Sequence, residues 1–285
     1  MTTNILKAII NISKSTDLTL SNYKKFKDEK NRIQEQGAGL EIFIKDSFCG
    51  IPTGSISNEK RIKNYLKEFS DTGQKNNPPD AMIKRGDAME IKKHEGAGTA
   101  NIALNTSPPR TILTDKDRNI AKETQNCEKK PWKRDYLYII GNQKSGRLEK
   151  LTLCYGDCFV SSNDPYRKIF DKIKKIILKG DIGKAEFNPS KEFGRISKID
   201  PQDFTKLRIR SMFELENPSK IFSNEINWKK NEKLVISLIM RKRKFLSFPK
   251  KDRDSLESFQ IENFKGKNPD SPQTEMDLVL IRYSR

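Results

Sequence analysis

The apolar residues of this chain change their period once, and that change limits its fold more than any other feature. Up to Phe69 they recur at helical steps: in residues 4–12, across residues 20–48 with Leu40, Phe43, Ile44 and Phe48, and in residues 59–70 with Ile62, Tyr65, Leu66 and Phe69. A polar, turn-rich stretch from Thr72 to Pro79 breaks the pattern, and beyond it the period is two. Ala81-Met82-Ile83 and Ala88-Met89-Glu90-Ile91 flank Arg85-Gly86-Asp87, the composition of a tight β-hairpin. Further strands are expected at residues 136–140, 151–160, 207–213, 234–240 and 278–283. Among them residues 163–180 predict a helix: a polar cap, Pro165 in the first turn, an Ile169/Phe170/Ile173/Ile176/Ile177 stripe and Gly180 at the close. Helices first, then strands interrupted by a helix, predict an α/β fold with a mixed central sheet flanked by helices. Residues 182–205 and 245–275 are polar and are expected as long loops.

The 285 residues have room for a sizeable core, and we expect a single domain over residues 1–285 whose basic part, 228–285, packs on it. Lys and Arg number 56 against 38 Asp and Glu, so the net charge of +18 calls for a polyanionic partner. The longest apolar run, Leu234 to Met240, is far short of the roughly 18–20 residues that cross a bilayer, so no membrane insertion is expected. The N-terminal residues lack the flanks of a signal peptide. Cys49, Cys127, Cys154 and Cys158 form no Cys-x-x-Cys pair and share the chain with one histidine, His94, which argues against a Cys/His zinc site. Buried thiols in a reducing cytoplasm are the expectation.

The stretch richest in chemistry is Pro78-Pro79-Asp80 through Glu90-Ile91-Lys92. Residues two apart on a strand share a face, so Glu90 and Lys92 point together while Met89 and Ile91 point into the core. The hairpin brings Asp80 back opposite Glu90. Two carboxylates beside an ammonium suit Mg²⁺, held by one or two carboxylates with water and a substrate phosphate, and such a site hydrolyses phosphodiesters. The spacing is that of the nuclease motif PD-(D/E)xK. A solvated hairpin with a Glu and a Lys on its outer face is the competing reading, and the helical region upstream and the basic charge weigh against it. Glu41, on the helix before the hairpin, is a candidate third metal ligand or a solvated carboxylate. Asp87 reads as a turn residue beside Gly86. His94 reads as a bystander, with phosphate contact as the alternative.

The run Asn77 to Lys93 and the segment Asn101-Ile-Ala-Leu-Asn105-Thr-Ser107 resemble the NgoPII-type family of type II restriction endonucleases. So do Cys127 with Trp132, Asp135-Tyr-Leu-Tyr-Ile-Ile-Gly141, Tyr155-Gly-Asp-Cys158 and Leu207 through Pro218, in the family's order over residues 4–225. The resemblance implies a restriction-endonuclease-like core, Mg²⁺-dependent cleavage of double-stranded DNA and a short palindromic target, GGCC for this family. It also implies that Asp80 and Glu90 are metal ligands, Lys92 orients the attacking water and Glu41 is the helix acid. The chain departs from the family at Gly37-Ala-Gly-Leu-Glu41, which keeps Glu41, and at Asn105-Thr-Ser-Pro-Pro109, where base contacts are expected.

Bases are read by bidentate side chains, Arg or Lys on guanine and Asn or Gln on adenine. Asn101, Asn105, Ser107, Arg208 and Arg210 are the candidates, with Arg208 and Arg210 sharing one strand face, which also has a plain reading as solvated sheet. Residues 229–253 carry ten Lys and Arg against two acids, a run suited to salt-sensitive phosphate binding. A palindrome calls for a homodimer, and a host for such an enzyme needs a protecting DNA methyltransferase. The rival readings are a repair or recombination nuclease with the same core, and a non-catalytic nucleic-acid-binding protein.

Overall fold

A computed structural model describes residues 3–26, 35–52, 56–74, 77–96, 98–105, 107–117, 119–180, 186–188, 194–228 and 232–285. Helix α1 (Ile5–Lys14) starts at Asn4, whose Oδ1 accepts from the amides of Leu6 and Lys7, satisfying donors that the first turn leaves unpaired. The helical region expected at 20–48 divides into a 3₁₀ turn, Leu20–Phe26, and α2 (Glu35–Phe48), with the positions between them outside the described residues. Leu40, Phe43, Ile44 and Phe48 are buried, as their spacing predicts. Helix α3 (Asn58–Glu68) departs from its pattern: Ile62 and Leu66 are exposed, while Arg61 is buried with Nε 2.8 Å from Asp46 Oδ1. Tyr65 donates to the same Asp46 oxygen, so an ion pair supported by a phenol docks α3 on α2.

Strands β1 (Phe69–Asp71), β2 (Ala81–Ile83) and β3 (Ala88–Glu95) follow, and β2 and β3 form the expected antiparallel hairpin. Next come β4 (Ile102–Asn105), β5 (Ile112–Thr114), α4 (Lys122–Gln125), β6 (Lys133–Lys144) and β7 (Arg147–Tyr155). Helix α5 (Asn163–Lys179) stands where its signals put it, but Ser162 is the N-cap and Gly180 closes in an extended conformation. Ile169, Ile173 and Ile176 of its stripe are exposed. After α5 come β8 (Glu186–Asn188), β9 (Gly194–Ser197), β10 (Leu207–Ile209) and β11 (Met212–Leu215). The last elements are α6 (Pro218–Ile221), α7 (Ser223–Ile226), β12 (Val235–Arg241), α8 (Lys242–Ser247), α9 (Lys250–Asp254), β13 (Gln260–Asn268) and β14 (Ser271–Ser284).

Among the described residues nine strands build a mixed central sheet in the order β1-β2-β3-β6-β7-β12-β14-β13, with β5 against β6. The β3–β6 and β7–β12 pairs are parallel and the others antiparallel. Alternation along β6 sends Leu137 and Ile139 into one core, with α1 and α2, and Tyr136, Tyr138 and Ile140 into a second, with β4 and Trp132. Two expected loops are partly strands. Residues 182–205 contain β8 and β9, and 245–275 contain α9 and most of the β13–β14 hairpin. The hairpin reads as a loop in sequence because β13 is an outer strand with mostly exposed, polar side chains. The strand expected at 207–213 divides between a three-stranded sheet, β10-β9-β8, and a two-stranded one, β11-β4. Arg210 falls in the break and Leu207 is exposed, so Arg208 and Arg210 do not share a strand face over a core.

The centre of the basic run is bound into the fold. Arg241 and Arg243 pair with Asp157, and Lys244 Nζ lies 2.7 Å from Asp87 Oδ1 and 2.6 Å from Asp135 Oδ2. Asp87 is buried, and its other oxygen accepts from Tyr155 at 2.6 Å. The turn residue of the hairpin is therefore also its anchor to α8, across 157 positions of chain. Lys244→Met leaves Asp87 buried without its cation and should cost about 3 kcal/mol in urea denaturation. The exposed Lys265–Asp277 pair makes the control, since Lys265→Met should leave the urea midpoint unmoved.

Candidate active site

Pairing between β2 and β3 covers only Ala81↔Met89 and Met82↔Ala88, extended by the Asp80 amide donating to Met89 O at 2.9 Å. At the next position the Ile91 amide finds a side chain instead of a strand carbonyl: it donates to Asp80 Oδ2 at 2.6 Å. A charge-assisted bond of this kind fixes the carboxylate at the point where the hairpin opens. Met89 and Ile91 enter the main core, and Glu90 and Lys92 take the other face, as the alternation requires. Lys92 Nζ lies 2.6 Å from Glu90 Oε1, and Glu90 Oε2 accepts from the Tyr136 hydroxyl at 2.7 Å.

Helix α2 brings Glu41 to the same centre. Lys45, one turn on, stands 3.8 Å from Glu41 Oε2 and donates to Thr72 O at 2.8 Å and Asp80 O at 3.5 Å, tying the helix to the backbone that carries Asp80. Two close approaches make this possible. Gly73, at φ +89°, passes over the Asp80 carbonyl where an added Cβ would lie 2.1 Å from the oxygen. Gly141 on β6 lets Leu40 lie where a Cβ would meet it at 2.7 Å, so α2 sits low on the sheet beside Glu41.

The electrostatics follow from crowding. Burial, then Glu90, then Glu41 raise the Asp80 carboxyl from 3.8 to about 7, against the opposing pull of Lys92 and the Ile91 amide. Burial opposes the Lys92 charge, yet Glu90 and Asp80 outweigh it and raise its pKa, so Lys92 is an ammonium donor at neutral pH and not a base. His94 lies on the same face of β3; burial lowers its pKa, and its Nδ1 is buried without a hydrogen-bond partner among the described residues. Among the described residues no group of three or more His, Cys, Asp or Glu side chains forms a ready metal cage. The donors present are carboxylate oxygens with Lys92 between them, and Mg²⁺ is commonly held by one or two carboxylates, so the residues fit that ion without enclosing it.

Asp80, Glu90, Lys92 and Glu41 are thus brought together, while the expected base-reading residues lie on other elements. Asn101 is exposed just before β4, and Asn105 ends that strand, its side chain lying outside the described residues. Ser107 is buried and accepts from Arg110 at 3.2 Å, which places it inside the fold and not at a groove-facing surface. Arg208 and Arg210 are exposed on or beside the small β10 sheet. Two site residues escaped the sequence reading. Lys45 is signalled only by its four-residue step from Glu41, and Tyr136 depends on the parallel register of β3 and β6, which no local pattern encodes.

The profile of the NgoPII restriction endonuclease family matches residues 3–270. The chain is similar to the type II restriction enzyme NgoPII of Neisseria gonorrhoeae, at 34% identity over 287 residues, covering 98% of this chain and 99% of that one. No solved structure matches. No helix among the described residues is long and apolar enough to cross a membrane.

The raised carboxyl of Asp80 makes a pH prediction for the metal-free protein. Its folded pKa of about 7 exceeds the ordinary 3.8, so its contribution to stability is full below about 3.8 and is lost as pH rises through about 7. In chelator, the thermal midpoint should fall between about pH 5 and about pH 8, and less steeply in Asp80→Asn. Parallel curves for the two proteins would assign the pH dependence to other groups.

Proposed function

The chain belongs to the NgoPII family of type II restriction endonucleases, and from that premise we propose that Asp80, Glu90 and Lys92 hydrolyse the phosphodiester bond, with Mg²⁺ as the cofactor. The observation that carries this reading is the convergence of Asp80 and Glu90 on Lys92 at the open end of the β2–β3 hairpin. Asp80 and Glu90, with Glu41 from α2, would hold Mg²⁺, which would supply positive charge to the phosphate oxygens. The Ile91 amide anchors Asp80 Oδ2, and Tyr136 and Lys92 hold the two oxygens of Glu90, which keeps both carboxylates in place at the open end of the hairpin. The Lys92 ammonium orients the attacking water and donates to the developing negative charge. Attack in line with the 3′ oxygen leaves a 5′-phosphate.

The fold we assign is the restriction-endonuclease-like core, with residues 1–285 as one domain, since the catalytic hairpin and the strands of 235–284 share one sheet. The substrate we assign is duplex DNA with the palindrome GGCC, cut by a homodimer that applies one such centre to each strand. The exposed Asn101, Arg208 and Arg210 are the candidates for groove contacts, with arginine suited to guanine O6 and N7. A DNA methyltransferase of the same specificity is the functional partner that protects the host, and the cytoplasm, where that DNA lies, is the compartment.

Digestion of a plasmid of known sequence in Mg²⁺, with the ends mapped, tests the reading. Discrete bands ending in 5′-phosphates at one palindrome support it. Structure-dependent nicking supports a repair nuclease, and intact DNA across salt concentrations supports a binding protein. Asp80→Ala and Lys92→Ala should each lower the cleavage rate by roughly 10²–10³-fold or more while DNA is still retarded in a gel.

A further inference from the structure

Glu90 is buried at 8% exposure, yet its carboxylate is not symmetric: Oε1 faces Lys92 and Oε2 is taken by the Tyr136 hydroxyl. We infer that Tyr136 is the positioning residue of this site, the group that fixes the orientation in which the Glu90 carboxylate is offered to a divalent cation. The inference rests on the phosphodiesterase reading and adds to it a residue that touches neither DNA nor cation.

The argument begins with the sheet. β3 and β6 run parallel with Ala88 beside Tyr136 and Glu90 beside Tyr138, so Tyr136 lies on the Glu90 face, two positions back along the neighbouring strand. Its ring is held on the second core, packed edge-on against Tyr138 at 5.3 Å, which packs in turn on Phe159 at 5.3 Å. A ring that cannot swing delivers its hydroxyl to one place, and that place is Glu90 Oε2 at 2.7 Å. The donor is neutral, so it fixes the carboxylate without cancelling the charge that a cation needs, as an arginine there would. Without it, Lys92 alone holds the carboxylate, and the plane of the group can drift because that terminal torsion has a broad profile. Groups that orient a metal-binding carboxylate commonly change metal affinity by about 10–100-fold when removed.

Tyr136→Phe keeps the ring and its packing and removes only the hydroxyl. Calorimetric titration of Mn²⁺ into chelator-treated protein, without DNA, should show affinity at least about 10-fold weaker than the unmodified protein. The Mg²⁺ concentration for half-maximal cleavage should rise in parallel, with KM for DNA unchanged at saturating Mg²⁺. Tyr138→Phe is the control, because it deletes an equally buried hydroxyl that serves Arg110 and should leave Mn²⁺ affinity as it was. Equal affinity in Tyr136→Phe and the unmodified protein overturns the inference and leaves the nuclease reading standing. An equal loss in both variants also overturns it, as a general packing effect. If the unmodified protein takes up no Mn²⁺, the nuclease reading falls and takes the inference with it.

Discussion

The hydrogen bond from the Ile91 amide to Asp80 Oδ2 is the interaction on which the rest of the centre depends. An antiparallel hairpin that kept pairing would spend that amide on a strand carbonyl and send Asp80 elsewhere. Because β2 begins only at Ala81, the amide needs an acceptor, and a side-chain carboxylate supplies one. That places Asp80 in a buried position beside Glu90, and burial first and the neighbouring carboxylate second raise the Asp80 carboxyl. The cost is offset by Lys92 beside Glu90 and by the hydrogen bonds from the Ile91 amide and the Tyr136 hydroxyl, so two carboxylates and an ammonium meet at the open end of the hairpin.

The surrounding fold holds that arrangement from three directions. Lys45 and Gly73 set α2 and the chain before the hairpin against Asp80. Tyr136 reaches across from β6 to Glu90. Lys244 of α8 grips the hairpin turn through Asp87, so the C-terminal part of the chain supports the centre without entering it. The positive charge of the chain therefore has two uses. Arg241, Arg243 and Lys244 are bound internally to acids, and the remaining exposed lysines and arginines form the field that favours a polyanion.

What was legible in the sequence is what local spacing encodes. The change of period located the hairpin, alternation put Glu90 and Lys92 on one face, and the apolar steps of α2 carried Glu41 to a helix facing them. What was not legible depends on partners far along the chain. The parallel register of β3 and β6 makes Tyr136 a neighbour of Glu90, and nothing near residue 136 announces it. Asp87 has the composition of a turn and the role of a buried anchor because Lys244 and Tyr155 arrive from other strands and helices. The polar sequence of β13 hides a strand whose outer position needs few apolar side chains. The apolar stripe of α5 predicted a helix correctly, but its exposed isoleucines show that helical periodicity does not say what a face will meet.

Asp80 and Glu90 are proposed to hold the catalytic cation jointly, next to Lys92. Anomalous diffraction from crystals soaked in Mn²⁺ tests this most directly. The account predicts a peak about 2.1 Å from a carboxylate oxygen of each residue, lost in Asp80→Asn. A strong peak elsewhere in the molecule, with the hairpin end empty under conditions that support cleavage, would contradict it.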